Sequence, residues 1–391
     1  MYNIKTFNNI SNVIFNKLTG DKYAVSADME NYDGALVRSA DLQNAEFPKE
    51  LLAIARAGAG TNNIPIDRCT EEGIVVFNTP GANANAVKEL VLCGLLLSCR
   101  KIIPGAEWVI NAKKSGEENI EKLAEKAKKN FVGPEVAGKK LGVIGLGAIG
   151  VLVANAAING LDMDVLGYDP YLGVNSALKL SPKVRITTDV NNIFRECDYI
   201  TIHVPLNDET KNTINAKTIA MMKEDVAVLN FARGGLVDPV AIENAVTSGK
   251  IRAYVTDFAQ DNLIGLEGVT VLPHLGASTP ESEENCAAMA AAELDDYLQN
   301  GNISNSVNLP ACSLPRLGSC RLAVINRNVS NMVGRITAVL GDAGYNIEHM
   351  INKGRGQYAY TLIDTDTMIS ETELAKINAI DGVLRTRVIG K

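Results

Sequence analysis

Histidine, tryptophan and paired cysteines are scarce in this sequence. Its 391 residues include three histidines, one tryptophan and 5% aromatic residues. The seven cysteines are odd in number, never form a Cys-x-x-Cys pair, and do not join histidines at metal-ligand spacing. The pattern therefore predicts free thiols rather than a disulfide scaffold, and no metal site is predicted. Free thiols suit a reducing cytoplasm, which is where we expect the protein.

Long apolar runs and an excess of basic charge are also missing. No segment reaches the roughly 18 apolar residues that a membrane-spanning helix needs, and residues 1–10 are polar, so we expect neither a membrane span nor a secretory signal. Acidic residues outnumber basic ones by 45 to 38, which gives a formal net charge of −7. This charge repels nucleic acid and anionic membranes. The length predicts two or three domains.

The chain is organised around residues 139–150, KKLGVIGLGAIG. This stretch predicts an apolar strand that breaks into three glycines and then opens a helix. Gly145 permits the tight turn, Gly147 lets backbone N–H groups approach a pyrophosphate, and Gly150 lets the helix pack close to the strand. The helix N-terminus then faces the anion.

A second apolar strand, 164–168, follows that helix and ends at Asp169. A carboxylate at this place accepts hydrogen bonds from both ribose hydroxyls of a dinucleotide and repels a 2′-phosphate. Strand, glycines, helix, strand and Asp stand in the required order. The sequence therefore predicts a dinucleotide site that prefers NAD over NADP.

Residues 1 to about 95 predict a small α/β unit with buried strands at 35–37, 52–55 and 74–77. In an open parallel sheet, ligands bind beyond the carboxyl ends of the strands. Two such ends carry arginines, and one carries a glycine-rich loop. Guanidinium groups there can hold a phosphate or carboxylate, and loop N–H groups can bind another oxyanion; the alternative is that both arginines form ordinary surface ion pairs. The residues concerned are Arg38, Ser39, Arg56, Ala57, Gly58, Ala59 and Gly60.

Two helices are predicted before the glycine motif. Residues 83–103 form a long helix that is apolar nearly all round, which is typical of a helix buried within the protein or against a second subunit. Residues 107–129 are rich in Lys, Glu and Ala and predict a charged, solvated helix.

From residue 139 to about 272, strands and helices alternate as in a doubly wound sheet. His203, Arg233, Asp257 and His274 each follow a predicted strand, so they lie on the same side as the glycine turn. His203 is either a cofactor-edge or a packing residue. Hydride transfer at a carbinol carbon requires a group that takes or gives the hydroxyl proton.

His274 is the candidate for that proton, because a histidine works near neutral pH. A carboxylate on its other ring nitrogen, from Asp257 or Asp261, would fix the tautomer and stabilise the imidazolium. Arg233 is always charged and suits a substrate carboxylate and its 2-oxo group.

The last part of the chain predicts a helix over 281–300, a linker over 302–315, and a third domain of about 70 residues from Arg321. The domain has the order β-α-β-β-α-β, which is ferredoxin-like. We identify no catalytic chemistry in it.

Six motifs carry a resemblance to the D-2-hydroxyacid dehydrogenase family, in its short form with a C-terminal ACT domain: RS (38–39), RAGAGTN (56–62), GLGAIG (145–150), HVPL (203–206), NFARGGLVD (230–238) and PHLGAST (273–279). The resemblance implies an α/β fold with a Rossmann-type doubly wound NAD-binding domain (96–279) inserted in a flavodoxin-like substrate domain (1–95 and 280–305). A ferredoxin-like ACT regulatory domain (318–391) follows.

The resemblance implies NAD-dependent oxidation of 3-phospho-D-glycerate to 3-phosphohydroxypyruvate, the first step of L-serine biosynthesis, by a homodimer or homotetramer. One alternative is another 2-hydroxyacid dehydrogenase, a glyoxylate or hydroxypyruvate reductase, which would not need the second arginine. A second alternative is an NAD-sensing corepressor of the same fold. Against it, the ACT domain indicates metabolite feedback.

By position, the resemblance gives Arg233 and His274 the catalytic roles, and Arg38 and Arg56 the substrate phosphate. The family's catalytic Glu is replaced, with Asp261 as the candidate at its place. Implied cofactor contacts are Gly145, Gly147, Ala148, Ile149, Gly150, Asp169, His203, Pro205, Phe231, Ala232, Arg233, Asp257, His274 and Gly276.

The resemblance also implies an L-serine effector site in the ACT domain. Asn328 and Asn346 occupy the places of two serine-binding asparagines. The usual Pro-Gly at the helix entry is Ser330-Asn331 here, and a His found in some serine-inhibited members is Asn326.

Overall fold

The computed structural model describes residues 1–390. They form two compact units: unit 1 joins residues 1–83 to the chain from Pro280 onward, and unit 2 is Ala84–Thr279. The sequence places the first boundary after residue 95. The helix that begins at Ala84 instead belongs to unit 2, because Val87, Val91 and Leu95 are buried in that unit's core. Within residues 1–390, no helix is long and apolar enough to cross a membrane.

The first part of unit 1 is a five-stranded parallel sheet in the order β2-β1-β3-β4-β5, the flavodoxin-like order. The sequence does not reveal the first two strands, because Ile4 is the only buried residue of the first one and its pairing partners lie elsewhere in the chain. The elements are β1 (Tyr2–Phe7), β2 (Tyr23–Ser26), β3 (Gly34–Val37), β4 (Ala53–Arg56), α1 (Ile66–Glu71) and β5 (Val75–Phe77).

Unit 2 contains seven parallel strands in the order β12-β11-β10-β9-β6-β7-β8. The strand order reverses between β6 and β9, which is the topological switch point where doubly wound sheets bind dinucleotides. The predicted Rossmann-type architecture is thus confirmed. The strands are β6 (Lys140–Ile144), β7 (Asp164–Tyr168), β8 (Arg185–Thr187), β9 (Tyr199–Ile202), β10 (Val226–Asn230), β11 (Ile251–Thr256) and β12 (Val269–Val271).

The helices of unit 2 correct two predictions. The prediction of one helix over 83–103 is wrong, because the observed helix ends at Cys99. Pro104 lacks an N–H, and in a continuous helix its ring would clash with the carbonyl of Arg100. The single charged helix over 107–129 is also wrong, because Gly116 adopts φ +77° and ends the preceding helix. The helices are α2 (Ala84–Cys99), α3 (Ile102–Lys114), α4 (Ile120–Ala127), α5 (Ala148–Leu161), α6 (Val174–Lys179), α7 (Val190–Glu196), α8 (Ala216–Met221) and α9 (Pro239–Thr247).

The chain returns to unit 1 through α10 (Pro280–Asn300), which ends at Gly301 with φ +72°, the expected helix stop. One face of α10 is buried against the five-stranded sheet. Residues 302–315, which the sequence presents as a linker, are packed. Within them, the buried Asn308 accepts a hydrogen bond from the Val76 N–H and donates to the Ile74 carbonyl.

The C-terminal domain has the predicted β-α-β-β-α-β order and an antiparallel sheet, β14-β15-β13-β16, which is the ferredoxin-like arrangement. Its two helices cover one face of the sheet. The opposite face, with Tyr360 and Leu362, joins the core formed by α10. The elements are β13 (Cys320–Arg327), α11 (Met332–Asp342), β14 (Ile347–Arg355), β15 (Tyr358–Thr365), α12 (Glu371–Asn378) and β16 (Val383–Gly390).

Candidate active site

The glycine turn after β6 leaves no room for side chains at two of its three glycines. Gly145 has φ +94°, and a Cβ there would lie 2.6 Å from the His203 carbonyl oxygen. A Cβ on Gly150 would lie 1.9 Å from the Gly145 carbonyl oxygen. The turn is therefore held tightly against the end of β9, at the switch point of the sheet.

Gly147 is different. It caps the N-terminus of α5 without a side-chain hydrogen bond, and no described atom lies within 4 Å of where its Cβ would stand. Gly147 and Ala148 are exposed, and Ile149 is half-buried. An open space in front of an uncapped helix N-terminus fits the pyrophosphate of a dinucleotide, because the first N–H groups and the helix dipole both favour an anion.

Asp169 lies directly after β7, and its carboxylate contacts the glycine turn. One oxygen accepts the N–H of Leu146 at 2.8 Å, and the other accepts the N–H of Tyr171 at 2.8 Å. A carboxylate has about four lone-pair sites. Asp169 is only half-buried, so it retains acceptor capacity for ribose hydroxyls.

His203 follows β9, and its environment favours the packing interpretation. The backbone N–H of His203 donates to the Ile144 carbonyl at 2.7 Å, and the ring Nε2 lies 2.9 Å from the Thr201 hydroxyl. Burial lowers the pKa of His203 to about 3, so the ring is neutral near pH 7 and does not exchange a proton there. The neighbouring Pro205 is exposed, and its carbonyl accepts the Thr210 hydroxyl at 2.5 Å.

Arg233 is exposed at the end of β10, on a loop that Asn230 holds. The side chain of the fully buried Asn230 donates to the Arg233 carbonyl at 2.9 Å and accepts the Ala232 N–H at 3.2 Å. The Arg233 guanidinium donates to the Ala232 carbonyl at 2.7 Å. Phe231, the residue after Asn230, is buried in the core of unit 2.

Asp257 directly follows β11 and is 1% exposed. One carboxylate oxygen accepts the Gly276 N–H at 2.9 Å, whereas the other has no hydrogen-bond partner among the described residues. Burial raises the pKa of Asp257, and the charges of His274 and Arg233 oppose that rise. The loops after β10, β11 and β12 thus bring Arg233, Asp257 and His274 within electrostatic range of one another.

His274 has a left-handed backbone, φ +48°, which is uncommon for a residue with a side chain and concentrates at functional sites. Its N–H donates to the Asp257 carbonyl at 3.0 Å, which fixes this conformation. The exposed imidazole packs against Phe258 with 5.1 Å between ring centroids.

Asp261 is exposed in the turn after β11. Within residues 1–390, neither an ion pair nor a hydrogen bond joins its carboxylate to His274. Asp257 is the carboxylate whose charge interacts with His274 in this structure.

In unit 1, both arginines lie at the carboxyl edge of the five-stranded sheet. The Arg38 guanidinium forms an ion pair with Glu283 of α10, and its side chain is 40% exposed. The Nε of Arg56 donates to the Arg38 carbonyl at 3.1 Å, which ties the two strand ends together. Ser39 is exposed, and its N–H already donates to the Asn8 side chain at 3.1 Å.

The loop after β4 offers fewer donors than the sequence predicts. The N–H of Ala57 donates to the Val37 carbonyl at 2.8 Å, and that of Gly58 donates to the Arg56 carbonyl at 2.9 Å. The N–H groups of Ala59 and Gly60 donate to no acceptor among the described residues. The expected four-donor oxyanion site is therefore reduced to two N–H groups.

Comparison with known proteins matches residues 93–276, within unit 2, to the D-isomer specific 2-hydroxyacid dehydrogenase, NAD binding domain. The D-3-phosphoglycerate dehydrogenase of Haemophilus influenzae is 31% identical over 357 residues, which is 88% of this chain and 82% of that protein. The chain belongs to the D-isomer-specific 2-hydroxyacid dehydrogenase family. Unit 2 thus contains the family's NAD-binding domain, and NAD is its cofactor.

Two further relatives differ in how much of their own length this chain covers. The D-3-phosphoglycerate dehydrogenase of Methanocaldococcus jannaschii is 34% identical over 315 residues, 79% of this chain but only 57% of that protein. The hydroxypyruvate reductase of Thermotoga maritima is 38% identical over 266 residues, 64% of this chain and 80% of that protein. The chain thus spans little more than half the length of some curated relatives that it matches.

Solved structures share the fold. The D-mandelate dehydrogenase of Rhodotorula graminis superposes with a TM-score of 0.67 at 20% sequence identity, over 80% of this chain and 99% of that one. This similarity supports the fold described above.

Several residues of this family member support the site without appearing among the predicted site residues. Asn230 fixes the Arg233 loop, Glu283 pairs with Arg38, and Asn8 occupies the Ser39 N–H. For Asn230 a sequence signal exists, since an amide at the end of a continuous apolar strand must be satisfied by hydrogen bonds. Glu283 and Asn8 carry no such signal.

The two proposed effector asparagines of the ACT domain are exposed. The Asn328 side chain donates to the Gly356 carbonyl at 3.2 Å, and the Asn346 N–H donates to the Asp366 carboxylate at 3.3 Å. Asn326, at the position of the family's occasional His, is 1% exposed and donates to the Arg327 carbonyl.

Proposed function

We propose that this protein catalyses the NAD-dependent oxidation of 3-phospho-D-glycerate to 3-phosphohydroxypyruvate, or the reverse reaction. The observation that carries the substrate is the position of two arginines, Arg38 and Arg56, at the carboxyl ends of neighbouring strands, where the Arg56 Nε donates to the Arg38 backbone carbonyl. Two arginines at neighbouring strand ends suit a doubly charged phosphate. Relatives named D-3-phosphoglycerate dehydrogenase support the same substrate.

The proposed reaction transfers a hydride and a proton from one carbinol group. NAD accepts the hydride when bound. His274 takes the hydroxyl proton, and its exposure allows the proton to leave to solvent. Arg233 holds the substrate carboxylate and polarises the 2-oxo group in the reverse direction. Asp257 lowers the energy of the imidazolium by its negative charge, while Asp261 stays the proposed replacement for the family's Glu.

The test is a comparison of kcat/KM for NADH oxidation with 3-phosphohydroxypyruvate, hydroxypyruvate and glyoxylate. Charge-assisted hydrogen bonds to a phosphate contribute about 1.5–3 kcal/mol each, so two arginines predict a preference of about 100-fold or more for the phosphorylated substrate. Equal values for the three substrates would contradict the proposal.

A second candidate is hydroxypyruvate reduction, which the Thermotoga maritima relative favours. Its substrate lacks the phosphate and would not need the second arginine. The same substrate comparison separates the two functions, because a reductase of this kind would prefer unphosphorylated hydroxypyruvate.

The proposal extends to assembly and regulation. Helix α3 buries none of its residues and exposes Val109 and Ile110, an apolar surface that supports a homodimer or homotetramer. L-serine is the proposed effector, supported by Asn328 and Asn346 at the places described above. Seven free cysteines, among the residues that the structure describes, support a cytoplasmic location.

A further inference from the structure

We propose that Asn78 is a positioning residue that directs the N–H groups of Ala59 and Gly60 toward the substrate carboxylate. This inference deepens the proposed function and depends on it, since it takes the loop after β4 as part of the substrate site. The geometry of two neighbouring peptide groups carries it.

Both carbonyl groups of this loop segment are bound by the residues after β5. The Asn78 side-chain amide donates to the Ala59 carbonyl at 2.6 Å, and the Thr79 N–H donates to the Gly58 carbonyl at 3.2 Å. The bond from Thr79 lies beyond the pairing of β4 with β5, which ends at Ala55 and Phe77. The bond from Asn78 comes from a side chain, and the sheet alone would not supply it.

A trans peptide group points its N–H opposite to its carbonyl, and the described chain contains no cis peptide. The Ala59 carbonyl shares its peptide plane with the Gly60 N–H, and the Gly58 carbonyl shares its plane with the Ala59 N–H. Fixing the two carbonyls on one side therefore aims both N–H groups to the other side. Within residues 57–60, these are the two N–H groups that have no acceptor among the described residues, and adjacent N–H groups of this kind bind an oxyanion.

Asn78 is itself held by a chain of hydrogen bonds. Its N–H donates to the Asn305 carbonyl at 3.2 Å, and the Asn305 side chain donates to the Glu293 carboxylate at 2.6 Å. Glu293 belongs to α10 and is 6% exposed. The backbone at Asn78 is thus held from the buried side of unit 1, which supports the placement of its side chain beside the loop.

The test compares Asn78→Asp and Asn78→Ala with the wild type. Aspartate has the same shape but no donor, and it repels the Ala59 carbonyl; alanine removes the donor without adding a charge, so the test stands if the aspartate variant does not fold. The matched control is Asn63→Asp, because Asn63 also donates its amide to a backbone carbonyl of unit 1, that of Ala40, at 2.7 Å.

The expected result is a rise of about 10-fold in KM for both 3-phosphohydroxypyruvate and hydroxypyruvate, because both carry the carboxylate. The kcat, the NADH dissociation constant and the melting temperature should match those of the Asn63→Asp control. Unchanged KM values in a folded Asn78 variant would overturn the inference, and so would an equal loss of NADH affinity.

Arg56→Ala separates this inference from the proposed function. If Arg56→Ala fails to discriminate between phosphorylated and unphosphorylated substrates, the phosphoglycerate assignment fails, whereas an effect of Asn78 on both substrates would still support the positioning role. If Arg56→Ala discriminates and the Asn78 variants do not raise KM, the positioning role alone is wrong.

Discussion

Alanine substitutions at two glycines of the same turn should separate folding from cofactor binding. A Cβ at Gly150 would stand 1.9 Å from the Gly145 carbonyl oxygen, well inside van der Waals contact. At Gly147 a Cβ meets no described atom within 4 Å, and its φ of −74° suits alanine. The first methyl group collides with the protein, while the second enters only the space that the pyrophosphate would take.

The expected magnitudes differ accordingly. Gly150→Ala forces the turn and α5 apart, and forced overpacking of this kind costs about 1–3 kcal/mol of stability, with cofactor binding lost as well. Gly147→Ala costs less than about 1 kcal/mol as a poorer helix cap. By displacing the pyrophosphate from at least one N–H group, it weakens NADH binding by about 10- to 150-fold.

The assay measures melting temperature and NADH dissociation constant, the latter by fluorescence, for both variants. Gly160→Ala is the control, since a Cβ at that position of α5 meets no described atom within 4 Å; it should leave NADH binding unchanged and stabilise the helix slightly. If Gly147→Ala binds NADH as tightly as the wild type, the pyrophosphate does not lie at the N-terminus of α5, and the reasoning is refuted.

Three further predictions address single side chains. His274→Ala should reduce kcat by about 10²- to 10⁴-fold while NADH binding persists; a loss below tenfold in steady-state turnover would exclude His274 as the proton carrier. Asp169→Ala should weaken NADH binding and narrow the preference over NADPH in a titration, and an unchanged affinity ratio would remove Asp169 from the ribose site. Burial raises the pKa of Glu293 to about 7 from an ordinary 4.5. Between these two pH values the native protein keeps a proton on Glu293 that the unfolded chain has lost. The free energy of unfolding of the wild type therefore falls as pH rises through this range. The stability of Glu293→Gln relative to the wild type should therefore increase from pH 5 to pH 8, by up to about 3 kcal/mol in denaturation experiments, whereas a pH-independent difference would show that Glu293 titrates normally.

The sequence predicts the parts of the fold that depend on local signals. The glycine turn, the strand that ends at Asp169 and the helix stop at Gly301 each follow from residues close together in the chain. The ferredoxin-like order of the last domain follows in the same way, from the succession of apolar segments and glycine turns along residues 321–388.

The parts that sequence reasoning missed depend on contacts between distant residues or on a single local break. Strands β1 and β2 are held by pairing within the sheet more than by their own apolar pattern. The break before α3 is caused by Pro104, and the continuous apolar pattern around it led to the prediction of one unbroken helix.

The candidate site shows the same division. Placement of Arg233, Asp257 and His274 after neighbouring strands follows from parallel-sheet geometry. By contrast, the ion pair of Arg38 with Glu283 joins residues 245 positions apart, and no local sequence pattern predicts it. The positive φ of His274 is likewise imposed by its hydrogen bond to the Asp257 carbonyl.

The central claim, that the two arginines of unit 1 select a phosphorylated substrate, is tested most directly by the ratio of kcat/KM for 3-phosphohydroxypyruvate to that for hydroxypyruvate, in the wild type, Arg38→Ala and Arg56→Ala. Arg233→Ala is the control, because it should reduce both values alike and leave the ratio unchanged. Each of the other two substitutions should lower the ratio by about 10- to 150-fold. A ratio that stays at the wild-type value in both variants would contradict the central claim.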